Sequence, residues 1–163
     1  MSSHRAASAD RASAAGGSAL KLSAFLPYRL SVMSAVVSEG LARSYSERFG
    51  ISTPEWRVLA TVGEFRSITA KALGHHAHMN KVKVSRAATS LERRGLIRRL
   101  PNPEDLREAF LVLTPEGDRV YGEVAPLALA YVETLTAGLS APDRAHLDRL
   151  IDALLHRAGE MGA

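Results

Sequence analysis

Apolar positions recur with helical spacing over most of this chain. Leu22, Phe25, Leu26, Leu30, Met33, Val37 and Leu41 follow one another at steps of one, three and four. That spacing predicts a helix from Leu20 to Phe49, restarted or bent near Pro27 and stopped at Gly50. Ser52-Thr53-Pro54-Glu55 has the form of a capping box and opens a second helix carrying Trp56, Leu59, Ala60 and Val62. Thr69 caps a short third helix with Ala72 and Leu73, and Gly74 to Met79 reads as a turn. Asn80 starts a fourth helix, which runs to about Arg94 and stops at Gly95.

The pattern then changes. Leu96 to Leu100 and Glu108 to Leu113 read as two strands, and the proline-rich stretch Pro101 to Leu106 between them makes a β-hairpin. Thr114-Pro115 opens a fifth helix to about Leu139, with a bend expected at Pro126. Ser140-Ala141-Pro142-Asp143 reads as a second capping box, opening a last helix to about Ala158.

This order predicts a mainly α protein with a small β-hairpin. Three short helices followed by a hairpin form a winged helix-turn-helix, here with long flanking dimerisation helices. Residues 1–19, rich in Ala, Ser and Gly, read as a disordered tail. Residues 20–163 read as a single domain. Its DNA-binding lobe spans about 50–113, and its dimerisation helices span about 20–49 and 114–158.

Charge sharpens the picture. The net charge is only +4, but residues 71–107 hold nine Lys/Arg against three Asp/Glu. Residues 108–163 hold four against nine. A basic middle beside an acidic end suits a surface that meets a polyanion. On a helical wheel of the fourth helix, Val84, Ala87, Ala88 and Leu91 share a core-facing side. Val82, Lys83, Arg86, Thr89, Ser90 and Arg93 share the other. Arg86 and Lys83 can bond guanine or phosphate, Ser90 and Thr89 can bond either, and Val82 can touch a thymine methyl. Arg107 at the hairpin tip suits a narrow minor groove. Asp105, two residues earlier, is expected to hold that guanidinium in a bidentate pair.

Other chemistry is sparse. The chain has no cysteine, which excludes disulfides, thiolate nucleophiles and cysteine-ligated metals. It carries no phosphate loop, zinc-protease helix or nucleophile elbow, so the expectation is not an enzyme, with no catalytic residues and no cofactor. No apolar run approaches the ~20 residues of a membrane span, and the start lacks a signal-peptide core. The expectation is a cytoplasmic protein with no membrane contact. His75, His76 and His78 cluster near the fourth helix without a nearby acid and are read as facing phosphate or solvent; no metal site is assigned. Tyr28, Arg29, Tyr45, Trp56 and Arg57 combine aromatic walls with guanidinium groups, a set suited to an aromatic carboxylate.

Several stretches resemble the MarR (multiple antibiotic resistance regulator) family. Leu91-Glu92-Arg93-Arg94-Gly95-Leu96-Ile97-Arg98-Arg99, Pro103-Glu104-Asp105-Leu106-Arg107 and Leu113-Thr114-Pro115-Glu116-Gly117 match its pattern of L-E-x-x-G-L-[IV]-x-R, D-x-R and L-T-x-x-G. Val84-Ser85-Arg86 matches the start of its recognition helix, and Glu55-Trp56-Arg57-Val58-Leu59 looks like its second helix. The resemblance covers about residues 22–158. It departs at Leu106, where many members carry a second arginine, and in the histidine-rich stretch Gly74–Met79.

The resemblance implies a homodimeric winged-helix transcription factor. It would bind a pseudo-palindrome on double-stranded DNA and release it when a small-molecule effector binds. Ser85 and Arg86 would sit in the major groove, with Asp105 and Arg107 in the wing. The full DNA-facing set is then Lys81, Val82, Lys83, Ser85, Arg86, Thr89, Ser90, Asp105 and Arg107. The expected function is a repressor released by an aromatic carboxylate or its coenzyme A thioester. The alternatives are a metal-responsive DNA-binding regulator and a winged-helix protein-interaction module.

Overall fold

A computed structural model describes residues 20–162, so the tail expected over residues 1–19 lies outside the described residues. The described residues fall into two units, divided between Val37 and Ser38. In the first, a short 3₁₀ turn at Leu22–Ala24 precedes α1, Leu26–Arg43, which carries the chain into the second unit. Pro27 occupies the first turn of α1, where its missing N–H costs no helical hydrogen bond, so the helix restarts there.

The first expected helix is longer than the observed one. It breaks at Ser44–Tyr45, and a four-residue helix, α2 (Ser46–Phe49), follows. The Ser44 hydroxyl and N–H both donate to the Leu41 carbonyl, closing the last turn of α1. The chain then turns so that the Tyr45 ring is fully buried.

The remaining elements are α3 (Thr53–Phe65), β1 (Ile68–Thr69), α4 (Ala70–His76), α5 (Lys81–Arg93), β2 (Ile97–Pro101), β3 (Ala109–Leu113), α6 (Pro115–Leu135) and α7 (Ala141–Met161). Caps fix most of the helical starts. Ser52, Thr69, Asn80, Thr114 and Ser140 each accept a backbone N–H from three residues on. At Ser52 the capping box is complete, because the Glu55 carboxylate takes the Ser52 N–H in return at 2.8 Å. At Ser140 only half of it forms. Asp143 is one methylene shorter and accepts from the Ser140 hydroxyl at 2.5 Å.

Three helix ends and the sheet differ from expectation. α4 continues through Gly74, His75 and His76, so the turn begins only at Ala77. α6 passes through Pro126 and ends at Leu135, four residues early. α7 runs three residues further than expected, to Met161. The hairpin is also part of a three-stranded antiparallel sheet of order β1-β3-β2. Ile68 pairs with Leu111, and Arg99 pairs with the same Leu111 from the other side.

The core of the second unit forms where α3, α4 and α5 meet this sheet. Val58, Leu59 and Val62 come from α3, Leu73 from α4, Val84 and Leu91 from α5, and Ile97 and Leu111 from the sheet; all are essentially inaccessible. At roughly 1.5–3 kcal/mol for each side chain removed from water, this cluster fixes the angle at which α5 leaves the body. Gly95, at φ +68°, stops α5, and the Leu96 N–H returns to the Leu91 carbonyl at 2.9 Å. This cap leads directly into β2, so α5 and the hairpin share one turn.

Candidate nucleic-acid interface

Helix α5 buries Val84, Ala87, Ala88 and Leu91, the four positions assigned to its core side. The opposite side therefore stands outward. Lys81, Val82, Lys83, Ser85, Arg86 and Thr89 are exposed, as is Arg93. The Asn80 side chain holds the start of this helix by accepting the Lys83 N–H at 2.9 Å.

Ser90 is placed differently. It is half-buried and turned to the Glu55 carboxylate. Burial disfavours ionisation of Glu55. The neighbouring Ser90 hydroxyl, the hydrogen bonds from Ser52 and the Arg94 guanidinium together outweigh that burial and hold the carboxyl below its ordinary value. Arg94 in turn donates to the Phe49 and Gly50 carbonyls at 2.6 and 2.9 Å. This knot ties the end of α5 to the α2–α3 corner.

The hairpin presents a braced loop. Asn102 is buried, and its Oδ1 accepts the Glu104 N–H at 3.0 Å. The Asp105 carboxylate does not take the Arg107 guanidinium as expected. It accepts the Arg107 backbone N–H at 3.0 Å, while the Asp105 carbonyl accepts the Glu108 N–H. An aspartate two residues before an N–H closes a tight local turn, and that geometry wins over the longer reach to a side chain. The Arg107 side chain is left exposed.

Between α4, the start of α5 and the base of the hairpin lies a cleft of about 620 Å³. Lys71, His75, Lys81, Ser85, Arg99 and Arg107 line it, over a floor that includes Met79, Val84 and Ala88. Glu108 is its single acid. Arg99 is also bonded to Glu92 at 3.0 Å, linking β2 to α5. The basic segment of the sequence includes Lys71 and Arg99, but chain order alone does not place them beside α5. Only the packing of α4 and β2 brings them there.

His75 and His76 end α4, and the His76 ring lies 4.6 Å from that of Phe65. His78 takes a left-handed backbone, φ +48°. All three are exposed. Among the described residues, no three His, Asp or Glu side chains gather as metal ligands.

The residues singled out for a ligand fall in both units. Tyr28 and Arg29 are exposed on α1 in the first. In the second, Tyr45 is fully buried and Trp56 half-buried, their ring centroids 5.6 Å apart, while Arg57 is exposed. Tyr121, absent from the expected set, stacks on Trp56 at 6.3 Å. Burial pushes the Tyr45 phenol up, more than Thr53 and Arg57 pull it down, and among the described residues its hydroxyl has no partner at hydrogen-bonding geometry.

Comparison with known proteins agrees with this geometry. The MarR family profile matches residues 51–109, which spans α3 to the start of β3. The uncharacterised HTH-type transcriptional regulator YwoH of Bacillus subtilis is 30% identical over 112 residues, covering 67% of this chain and 81% of that protein. The chain belongs to the MarR family. It is a DNA-binding transcriptional regulator.

Solved MarR-family structures share its fold. A cysteine-to-serine mutant of MarR from E. coli, complexed with operator DNA, superposes with a TM-score of 0.72 at 24% identity. The match covers 80% of this chain and 93% of that one. NadR, in complex with 4-hydroxyphenylacetate, gives 0.70 at 22% identity, covering 80% and 92%. Among the described residues, no helix of this MarR-family chain is long and apolar enough to cross a membrane.

Proposed function

We propose that this regulator is a homodimeric repressor that grips a pseudo-palindromic operator and releases it on binding an aromatic carboxylate or its coenzyme A thioester. One observation carries the reading of DNA. The core side of α5 is locked into the body, which leaves Lys81, Val82, Lys83, Ser85, Arg86 and Thr89 facing outward beside a braced hairpin whose tip exposes Arg107. A helix so presented fits a major groove, and Arg107 then approaches the neighbouring minor groove. In this assignment residues 50–113 form the DNA-binding lobe.

Assembly rests on apolar surface. Leu147, Leu150, Ile151, Leu154 and Leu155 form a stripe along α7 at steps of three, one, three and one, and all are exposed. α7 buries none of its own residues. An amphipathic helix with an uncovered stripe of this length calls for a second apolar surface, and a two-fold partner supplies an identical one. Segments 20–49 and 114–158 are accordingly assigned to dimerisation.

Support for the effector comes from the half-buried Trp56 ring, its stacked partner Tyr121 and the exposed Arg57 guanidinium. The 4-hydroxyphenylacetate held by NadR is an aromatic carboxylate, the same class of ligand. The ligand must favour the dimer that cannot hold DNA, because equal affinity for both states shifts nothing.

A mobility-shift assay on DNA upstream of this protein's own gene tests the reading. A sequence-specific complex that phenolic acids or their thioesters dissolve is the expected result. No specific complex, or one dissolved by metal ions and untouched by such acids, would overturn it.

A further inference from the structure

The tip of the hairpin carries a leucine in a polar setting. Leu106 is 87% exposed, more than any other large apolar residue among those described. Its chain neighbours Glu104, Asp105 and Arg107 are charged and exposed. The loop does not leave it free to fold back. Asn102 holds the Glu104 N–H, and Asp105 holds the N–H groups of Arg107 and Glu108, each at 3.0 Å. A braced turn therefore presents an isobutyl group next to the exposed Arg107 guanidinium.

We propose that Leu106 is an apolar reader of the DNA minor groove, selecting A·T over G·C where the hairpin tip enters. This rests on the assignment of the hairpin to DNA made above. The floor of the minor groove offers only acceptors at A·T pairs, whereas G·C adds the guanine 2-amino donor. Leucine cannot accept from that donor and would strip its water without replacement. The amino group also stands up from the floor and blocks close approach. At A·T the floor is clear, and a leucine is among the apolar side chains that proteins do insert into the minor groove, there as wedges between base steps.

A protein partner is a poorer fit for this tip. A single leucine between charged residues buries too little to anchor an interface, but it suits a slot about 6 Å wide with phosphates on both walls. Arg107 supplies attraction to those walls without regard to base, and Leu106 supplies the discrimination.

The test uses the full chain and its own operator, with the hairpin's minor-groove positions mapped by hydroxyl-radical protection. At those positions A·T pairs are replaced by G·C or by inosine·C, which keeps the G·C major-groove pattern but lacks the 2-amino group. Anisotropy titrations should show wild type weakened about tenfold by G·C and restored by inosine·C, within the usual cost of one wrong pair. Leu106→Ala, exposed and so structurally harmless, should bind all three duplexes within about twofold. Arg107→Ala should bind more weakly but keep the discrimination. Equal binding of G·C and inosine·C duplexes by wild type, or discrimination that survives in Leu106→Ala, overturns the role of Leu106 alone. An operator complex with no protection attributable to the hairpin overturns the assignment of the hairpin to DNA as well.

Discussion

The backbone of Gly117, in the first turn of α6, lies against the carbonyl of Leu96 at the entry to β2. A methyl group on Gly117 would run into that carbonyl oxygen and its carbon. The same corner is tied by Thr114. Its hydroxyl donates to the Gly95 carbonyl at 2.5 Å and accepts the Gly117 N–H at 3.0 Å, while its N–H reaches the Leu96 carbonyl. The L-T-x-x-G motif is thus a clamp between the hairpin base and the long helix. Its glycine is set by close approach of backbone, not by a turn. Gly117→Ala should lower stability by at least about 2 kcal/mol, since backbone cannot yield as a side chain can. Chemical denaturation would show it, and a midpoint unchanged from wild type would refute the clamp.

Glu55 should make stability depend on pH in one direction. Its folded value lies below the ordinary 4.5, so its contribution is complete above that value and is lost as pH falls through the lower folded one. Glu55→Gln should therefore cost about 1–2 kcal/mol at pH 7, through loss of a charged capping box and of the attraction to Arg94. The gap between the two proteins should narrow as pH falls below 4.5. Denaturation series across pH 3–7 measure it; a gap that widens in acid would contradict the knot of Ser52, Ser90 and Arg94 around this carboxylate.

DNA contacts should separate into positioning and reading. Arg86→Ala should cost roughly 1–3 kcal/mol and relax preference at one base position per half-site. Arg107→Ala should weaken binding to most sequences and flatten the salt dependence by about one unit of log–log slope. The two variants titrated at several salt concentrations against a set of operator sequences would reveal the split. Equal small losses with unaltered preference would sink it.

Assembly should fail when the α7 stripe is charged. A Leu150→Glu, Leu154→Glu double substitution removes apolar surface that is exposed within the chain and so should leave the isolated fold intact. Sedimentation should show a monomer, and operator affinity should fall steeply because the two half-sites no longer bind as one unit. A dimer of undiminished operator affinity would move the interface elsewhere.

Arg57→Ala should blunt release by phenolic acids and leave operator binding within about threefold. The residue is exposed, and its charge is the one assigned to the carboxylate. If release is unchanged, the guanidinium has no part in the effector site.

Local patterns in the chain already contained the helices and their starts. Ser52, Thr69, Asn80 and Thr114 announce caps because a short polar side chain and a free N–H three residues on are neighbours in any helix. The buried side of α5 follows from a period of 3.6, and the outward set Lys81, Val82, Lys83, Ser85, Arg86 and Thr89 follows from the same count. Ser90 did not follow, because its neighbour Glu55 comes from another helix. Neither did β1, whose two residues make a strand only by pairing Ile68 with the distant Leu111. The break at Ser44–Tyr45 was hidden for a similar reason. Nothing local forbids helix there, and burial of the Tyr45 ring in the core decides it. Arg94 and Arg99 count in the sequence only as positive charge of the basic segment, and their partners, the Phe49 and Gly50 carbonyls and Glu92, come from the packing. Periodicity and capping act within one or two turns of chain and can be read in order. The cleft beside α5, the Gly117 clamp and the partners of these arginines depend on contacts between distant segments, which only the packed core brings within reach.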